Sequence, residues 1–170
     1  MNTLLRHCLP LMLACAAAPA AAQGPPPPAL SGELADRLAI EQLVVEYAYL
    51  LDHGRANELA ALFTSDGVLE TLGERAHGRP AIAAFYAKRA ADSRTTRHIT
   101  TNLRLVFEAP DRASGTRLIL YFRGDGDGPP FPASPGSVGE YSETFRREAD
   151  GRWRFASRTN TLLFAGKKRD

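Results

Sequence analysis

The spacing of apolar residues changes once along this chain, near Arg97, and that change limits the folds open to it. Before it, Leu34, Leu38, Leu43, Val44, Tyr47, Leu50 and Leu51 recur every three or four residues, the spacing of one helix face. After it the alternation has period two, as in Ile99, Thr101, Leu103, Leu105 and Phe107, the mark of a strand with one face covered. Helices first and a run of strands afterwards give an α+β fold, with the helices gathered on one face of an antiparallel sheet.

The first helix is expected from Gly32 to Asp52 or His53, with Ser31 as its N-cap and Gly54 ending it. Ala56 to Phe63 reads as a second short helix, Thr64-Ser65-Asp66-Gly67 as a turn, and Val68 to Leu72 as a short strand. Gly78-Arg79-Pro80 opens a third helix, with proline in its first turn and Ile82, Phe85 and Tyr86 as the buried stripe. Four strands follow, Arg97 to Glu108, Thr116 to Gly124, Val138 to Glu148 and Trp153 to Leu163, the last two forming a hairpin across Ala149-Asp150-Gly151. Gly124 to Gly136 is too rich in glycine and proline for regular structure and reads as a surface loop.

The ends carry other information. Residues 1–22 combine Arg6, an apolar stretch and Ala20-Ala21-Ala22, the pattern of a secretory signal peptide, which places the mature chain in the periplasm or outside the cell. Leu13-Ala14-Cys15 offers a second reading, a lipoprotein signal with Cys15 lipidated, the one route by which the chain would meet a membrane. Residues 23–31, with Pro25 to Pro28, form a stiff spacer; residues 32–165 form the domain, and 166–170 a basic tail. Both cysteines, Cys8 and Cys15, fall in the leader, so the domain holds no disulfide or thiolate chemistry. The formal charge of the whole chain is only +2, which argues against nucleic acid as a partner.

Two polar residues sit where an explanation is needed. Asp52 closes the first helix beside its apolar stripe, where a carboxylate opposes the helix dipole and gains from a nearby donor or cation. His98 opens the first long strand, on one face with Thr100, Asn102 and Arg104. If the fold joins them, the aspartate fixes the imidazole tautomer and raises the basicity of the other ring nitrogen, giving a group that moves protons. Arg158 pairs with Glu140 or Glu143 across the hairpin in a structural role, and Trp153 is core. His53, His77 and His98 are not at metal-ligand spacing, Gly124 to Gly128 lacks the later glutamate of a calcium loop, and no phosphate loop or nucleophile elbow is present. No metal and no cofactor are expected.

The chain resembles the SnoaL-like branch of the NTF2-like superfamily. The resemblance runs from about Leu34 to Phe164 and rests on the order of several short pieces. They are the helix Ala39 to Asp52, Leu59-Ala60-Ala61-Leu62-Phe63-Thr64-Ser65-Asp66-Gly67, Gly78-Arg79-Pro80-Ala81-Ile82, and Arg97-His98-Ile99-Thr100-Thr101-Asn102. Gly139-Glu140-Tyr141 and Gly151-Arg152-Trp153-Arg154-Phe155 followed by Arg158 complete them. The resemblance implies a cone, a curved antiparallel or mixed sheet wrapped around about three N-terminal helices, with a pocket inside and a homodimer through the outer sheet face.

In members related to scytalone dehydratase, the resemblance implies that an aspartate at Asp52 orients a catalytic histidine at His98. The family tyrosine just before the aspartate is Leu51 here, and no histidine follows His98 to supply the second pocket histidine. Tyr121 lies nearest that missing group; Tyr47, Tyr49, Asn102 and Tyr141 are further pocket candidates. The expected function is acid-base chemistry of isomerase, dehydratase or cyclase type on a small apolar or aromatic molecule. The alternative is a non-catalytic binding or dimeric scaffold protein of the same fold.

Overall fold

A computed structural model of the chain describes residues 32–91, 94–125 and 128–166. The expected leader, spacer, Ser31 cap and basic tail beyond Gly166 lie outside the described residues. Helix α1 spans Gly32–Asp52, a 3-10 helix spans Ala56–Leu62, and helix α2 spans Arg79–Ala90. Strands β1 (Phe63–Thr71), β2 (Glu74–His77), β3 (Thr95–Ala109), β4 (Arg112–Gly124), β5 (Ser137–Arg147) and β6 (Trp153–Ala165) form one mixed sheet in the order β2-β1-β6-β5-β4-β3. Among the described residues only β1 and β6 pair in parallel; every other neighbouring pair is antiparallel.

The helices cover one face of this open sheet. Ile40, Leu43, Val44, Tyr47, Leu50 and Leu51 are the buried face of α1, and they meet Phe63, Leu69, Ile82, Phe145 and Phe155 in one core. Each fully buried side chain of this kind contributes about 1.5–3 kcal/mol. Leu34 and Leu38, counted in the apolar stripe by spacing, are exposed, because the first turns of α1 overhang the core. That end is held instead by Asp36, which accepts the Trp153 indole N–H at 3.0 Å and an Arg147 guanidinium N–H. At the other end Gly54, at φ 73°, takes the left-handed conformation that stops the helix.

Two local expectations are corrected, and one strand is added. Thr64-Ser65-Asp66-Gly67 is not a turn between elements: it is an irregularity inside β1, where the partner register jumps from Phe63 opposite Phe155 to Val68 opposite Ser157. Thr64 is fully buried there, and a Cβ on Gly67 would lie 3.0 Å from the Phe63 Cβ, so the close fold-back needs glycine. Strand β2 gives no alternation to read, since Ala76 is its only buried residue. The second correction concerns β3.

Strand β3 does not keep one apolar face along its length. Its pairing with β4 slips between Thr101 and Arg104, and Asn102 sits in the slip at φ 58°. A β-bulge adds one residue and changes which parity faces the core. Before it Thr96, His98 and Thr100 turn inward; after it Leu103, Leu105 and Phe107 do. Ile99, expected on the apolar face, is 53% exposed. The bulge therefore lets one strand offer polar groups at one end and core residues at the other.

Candidate active site

The C-terminal end of α1 meets the start of β3, and Asp52 is enclosed there. One carboxylate oxygen accepts the His98 Nδ1–H at 2.5 Å and the Thr96 hydroxyl at 2.9 Å; the other accepts the His98 backbone N–H at 2.7 Å. The Thr96 hydroxyl in turn accepts from Arg89 Nη2 at 3.0 Å. Both side chains of the pair are nearly buried, at 9% exposure for His98 and 7% for Asp52. Burial pushes the Asp52 carboxyl up, but the His98 ring and backbone N–H, with the Thr96 hydroxyl, outweigh it and hold the group below its ordinary value. A carboxylate only accepts, so a neutral His98 carries its proton on Nδ1 and keeps its lone pair on Nε2.

The His98 ring forms part of the wall of a cavity of about 400 Å³ on the concave face of the sheet. Nε2 makes no hydrogen bond among the described residues. Leu51, Phe85, Ile119 and Tyr121 supply the apolar surface, and Tyr121 lies with its ring centroid 5.1 Å from that of His98. A shallower depression of about 320 Å³ lies on the outer sheet face, between Val106, Thr116, Ser142 and Thr144. It does not include either member of the Asp52–His98 pair.

Of the seven residues expected at the site, five are here. Asp52 and His98 touch, and Tyr47, Tyr121 and Tyr141 line the cavity. Two are not. Tyr49 lies on the outer side of α1, 48% exposed, where its ring stacks on His53 at a centroid distance of 4.0 Å. Asn102 is exposed at the bulge and accepts from the Thr101 hydroxyl at 3.2 Å; the change of parity turns it away from the His98 side.

The structure adds residues that the sequence did not place at the site. Tyr86 hydrogen-bonds Tyr47 through the two hydroxyls, and burial pushes both phenols up, so both stay protonated near neutral pH. Behind Tyr47 and Tyr141 lies a buried ionic group. Arg117 donates to Glu143 through Nε and Nη2, each at 3.0 Å, and Arg158 Nε stands 3.4 Å from the same carboxylate. The Arg158 guanidinium carbon lies 3.3 Å from the Tyr47 ring centroid and 4.0 Å from that of Tyr141. Of the two partners open to Arg158 in sequence, the fold selects Glu143, directly opposite it in the β5–β6 register. The cavity mouth carries Lys88, Arg89, Arg94 and Arg123, with Glu74 as the acidic residue there. Among the described residues no three His, Cys, Asp or Glu side chains converge as a metal ion would need.

A SnoaL-like domain model matches residues 32–159, and the chain belongs to that family. Solved structures agree on the fold. An NTF2-like protein with a cystatin-like fold from Novosphingobium aromaticivorans is 31% identical, with a TM-score of 0.65 over 77% of this chain and 84% of that one. A candidate scytalone dehydratase from the same organism is 26% identical, with a TM-score of 0.70 over 82% of this chain and 91% of that one. A hexachlorocyclohexane dehydrochlorinase, LinA type 2, shares the fold at 20% identity, with a TM-score of 0.66 over 79% and 90% of the two chains. Among curated proteins, none matches this chain in sequence.

Proposed function

We propose that this protein is an acid-base enzyme of isomerase, dehydratase or cyclase type, acting on a small organic molecule with an apolar or aromatic body. One observation carries the reading: Asp52 grips His98 through both Nδ1 and the backbone N–H, while Nε2 stays unbonded on a ring that lines an open cavity. An imidazole fixed in this tautomer takes a proton at Nε2 from carbon next to a carbonyl, or returns one to a leaving hydroxyl, with Asp52 stabilising the imidazolium. Tyr121 beside the ring, and Tyr47 and Tyr141 deeper in, orient the substrate. Fold neighbours named as a candidate scytalone dehydratase and a dehydrochlorinase support elimination chemistry within that range.

Leu51 on the cavity wall and the lack of a histidine after His98 favour a reaction served by one base. The same departures favour a second reading, a binding protein that uses the cavity without turnover. One experiment separates them. Ligand that co-purifies with the protein is identified by native mass spectrometry, and its conversion is followed with wild type and His98→Ala. Enzymatic function requires turnover by wild type and its loss in a folded His98→Ala protein. Equal turnover by both removes His98 from the mechanism. The export signal at residues 1–22 supports a periplasmic or secreted protein, and we propose a homodimer, tested by its mass in solution at micromolar concentration.

A further inference from the structure

The hydroxyls of Tyr47 and Tyr86 bond each other on the wall of the cavity that the His98 ring also lines. Burial keeps both phenols protonated at neutral pH, so the pair holds two protons. One lies between the oxygens, and the second has no acceptor among the described residues. Tyr47 is 5% exposed and Tyr86 2%, so little water competes for that O–H.

The two tyrosines are not equivalent. The Arg158 guanidinium carbon stands 3.3 Å from the Tyr47 ring centroid, and among the described residues no cation covers the Tyr86 ring in this way. Arg158 and Arg117 share the one Glu143 carboxylate, so the buried group carries a net positive charge, which is little screened at low dielectric. Negative charge is therefore better tolerated on the Tyr47 oxygen, where Arg158 opposes the effect of burial. That sets the direction of the pair: Tyr86 donates to Tyr47, and Tyr47 keeps the O–H that serves the cavity. A hydroxyl that accepts one hydrogen bond donates a stronger one.

We propose that Tyr47, with Tyr86 behind it as a positioning residue, donates a hydrogen bond to the carbonyl oxygen of the substrate, a ketone with an apolar ring beside its acidic C–H bond. The proposal rests on His98 as the base and names the substrate class. His98 Nε2 takes a proton from the carbon next to the carbonyl. The C–H electron pair becomes a C=C bond, and the carbonyl π pair moves onto the oxygen, where the Tyr47 O–H meets the new charge. Return of the Nε2 proton to another carbon completes an isomerisation. Departure of a hydroxyl from the next carbon, leaving with its bonding pair and taking the Nε2 proton as water, completes a dehydration. Leu51, Phe85 and Ile119 hold the rings.

The test uses 2-tetralone labelled with carbon-13 at its carbonyl, bound to the full chain. Two signals are read: the infrared stretch of the bound carbonyl, and deuterium exchange of the protons next to it by NMR. The stretch should lie lower in wild type than in Tyr47→Phe, with both proteins folded by circular dichroism. Tyr47→Phe should also bind the ketone about tenfold more weakly and exchange its protons about 100- to 1,000-fold more slowly. Tyr86→Phe should lose part of each effect. A wild-type stretch equal to that of the ketone in hexane, where nothing donates, overturns the proposal whatever the variants do. So does failure of wild type to bind the ketone, a stretch unchanged in Tyr47→Phe, or a larger loss in Tyr86→Phe than in Tyr47→Phe. His98→Ala should abolish exchange and keep the lowered stretch. Exchange undiminished in His98→Ala sinks the proton-transfer reading and leaves the tyrosine donor standing; exchange lost there with a stretch indifferent to Tyr47 does the reverse.

Discussion

Replacing Asp52 with asparagine tests the centre of the site without depending on a substrate. The carboxylate accepts three hydrogen bonds, at 2.5, 2.7 and 2.9 Å. A carboxamide has one oxygen to accept with, and its NH2 must face a donor in place of the second. At least one charge-assisted bond, worth about 1.5–3 kcal/mol, is lost, and the remainder weaken to neutral ones. With Asp52 only 7% exposed, solvent does not replace them. Asp52→Asn should therefore cost about 2–3 kcal/mol, lowering the urea midpoint by about 1–2 M.

The loss has a pH signature. The Asp52 carboxyl titrates below its ordinary 3.8 in the folded protein, so the unfolded chain takes up the proton first as pH falls. The stabilisation is complete above 3.8 and disappears as pH drops through the lowered folded value. Urea denaturation of wild type and variant should show the full gap at neutral pH and a closing gap in the acid range. The nitrogen-15 shifts of the His98 ring should show Nδ1 protonated and hydrogen-bonded in wild type, a signature that the variant loses. A gap under about 0.5 kcal/mol at neutral pH refutes the reasoning. So would one that does not narrow in acid, or an unchanged tautomer.

Three further outcomes follow from the geometry. Glu143→Gln strands two buried arginines without a countercharge and should destabilise the fold by about 3–5 kcal/mol in thermal or chemical unfolding; a loss under about 1 kcal/mol would deny that the group is a single ionic unit. Gly115→Ala places a Cβ 2.5 Å from the Arg104 carbonyl oxygen and should cost about 1–3 kcal/mol, read by the same unfolding measurement, unless β3 and β4 separate freely there. Asn102→Val forces a β-branched residue to φ 58° and should cost about 1–2 kcal/mol, while Asn102→Gly is tolerated; equal stability of the two variants would argue against the bulge.

Much of the architecture was written in the chain at short range. The period-3.6 stripe from Ile40 to Leu51, the glycine after His53, the proline opening α2 and the four long alternating strands all carry local signals, because backbone preference and one-sided burial act on neighbouring residues. The Glu143–Arg158 pairing was within reach for the same reason, since one hairpin register links them. The approach of Asp52 to His98 was of another kind. Spacing showed two polar residues out of place, and only resemblance to a family suggested that they meet.

Tertiary structure decided the rest. Tyr49 and Tyr47 are two residues apart on one helix, about 200° around its axis, so the stripe that holds Tyr47 already turned Tyr49 outward; that the inward tyrosine lines a cavity was decided by the sheet it meets. Alternation along β3 put His98 and Asn102 on one face, but a single left-handed residue in a bulge reverses parity, and no short window of sequence shows that reversal. Arg117 read as an ordinary strand charge, and nothing local showed that the Glu143–Arg158 pair would be buried with it, because burial of a charge is set by what lies across from it, and these partners come from three strands. The sequence alone determined the order and type of the elements, through forces acting between near neighbours. Which polar groups are enclosed together, and so what chemistry the cavity supports, depends on contacts between residues as far apart as Asp52 and His98, which exist only once the helix is laid against the sheet.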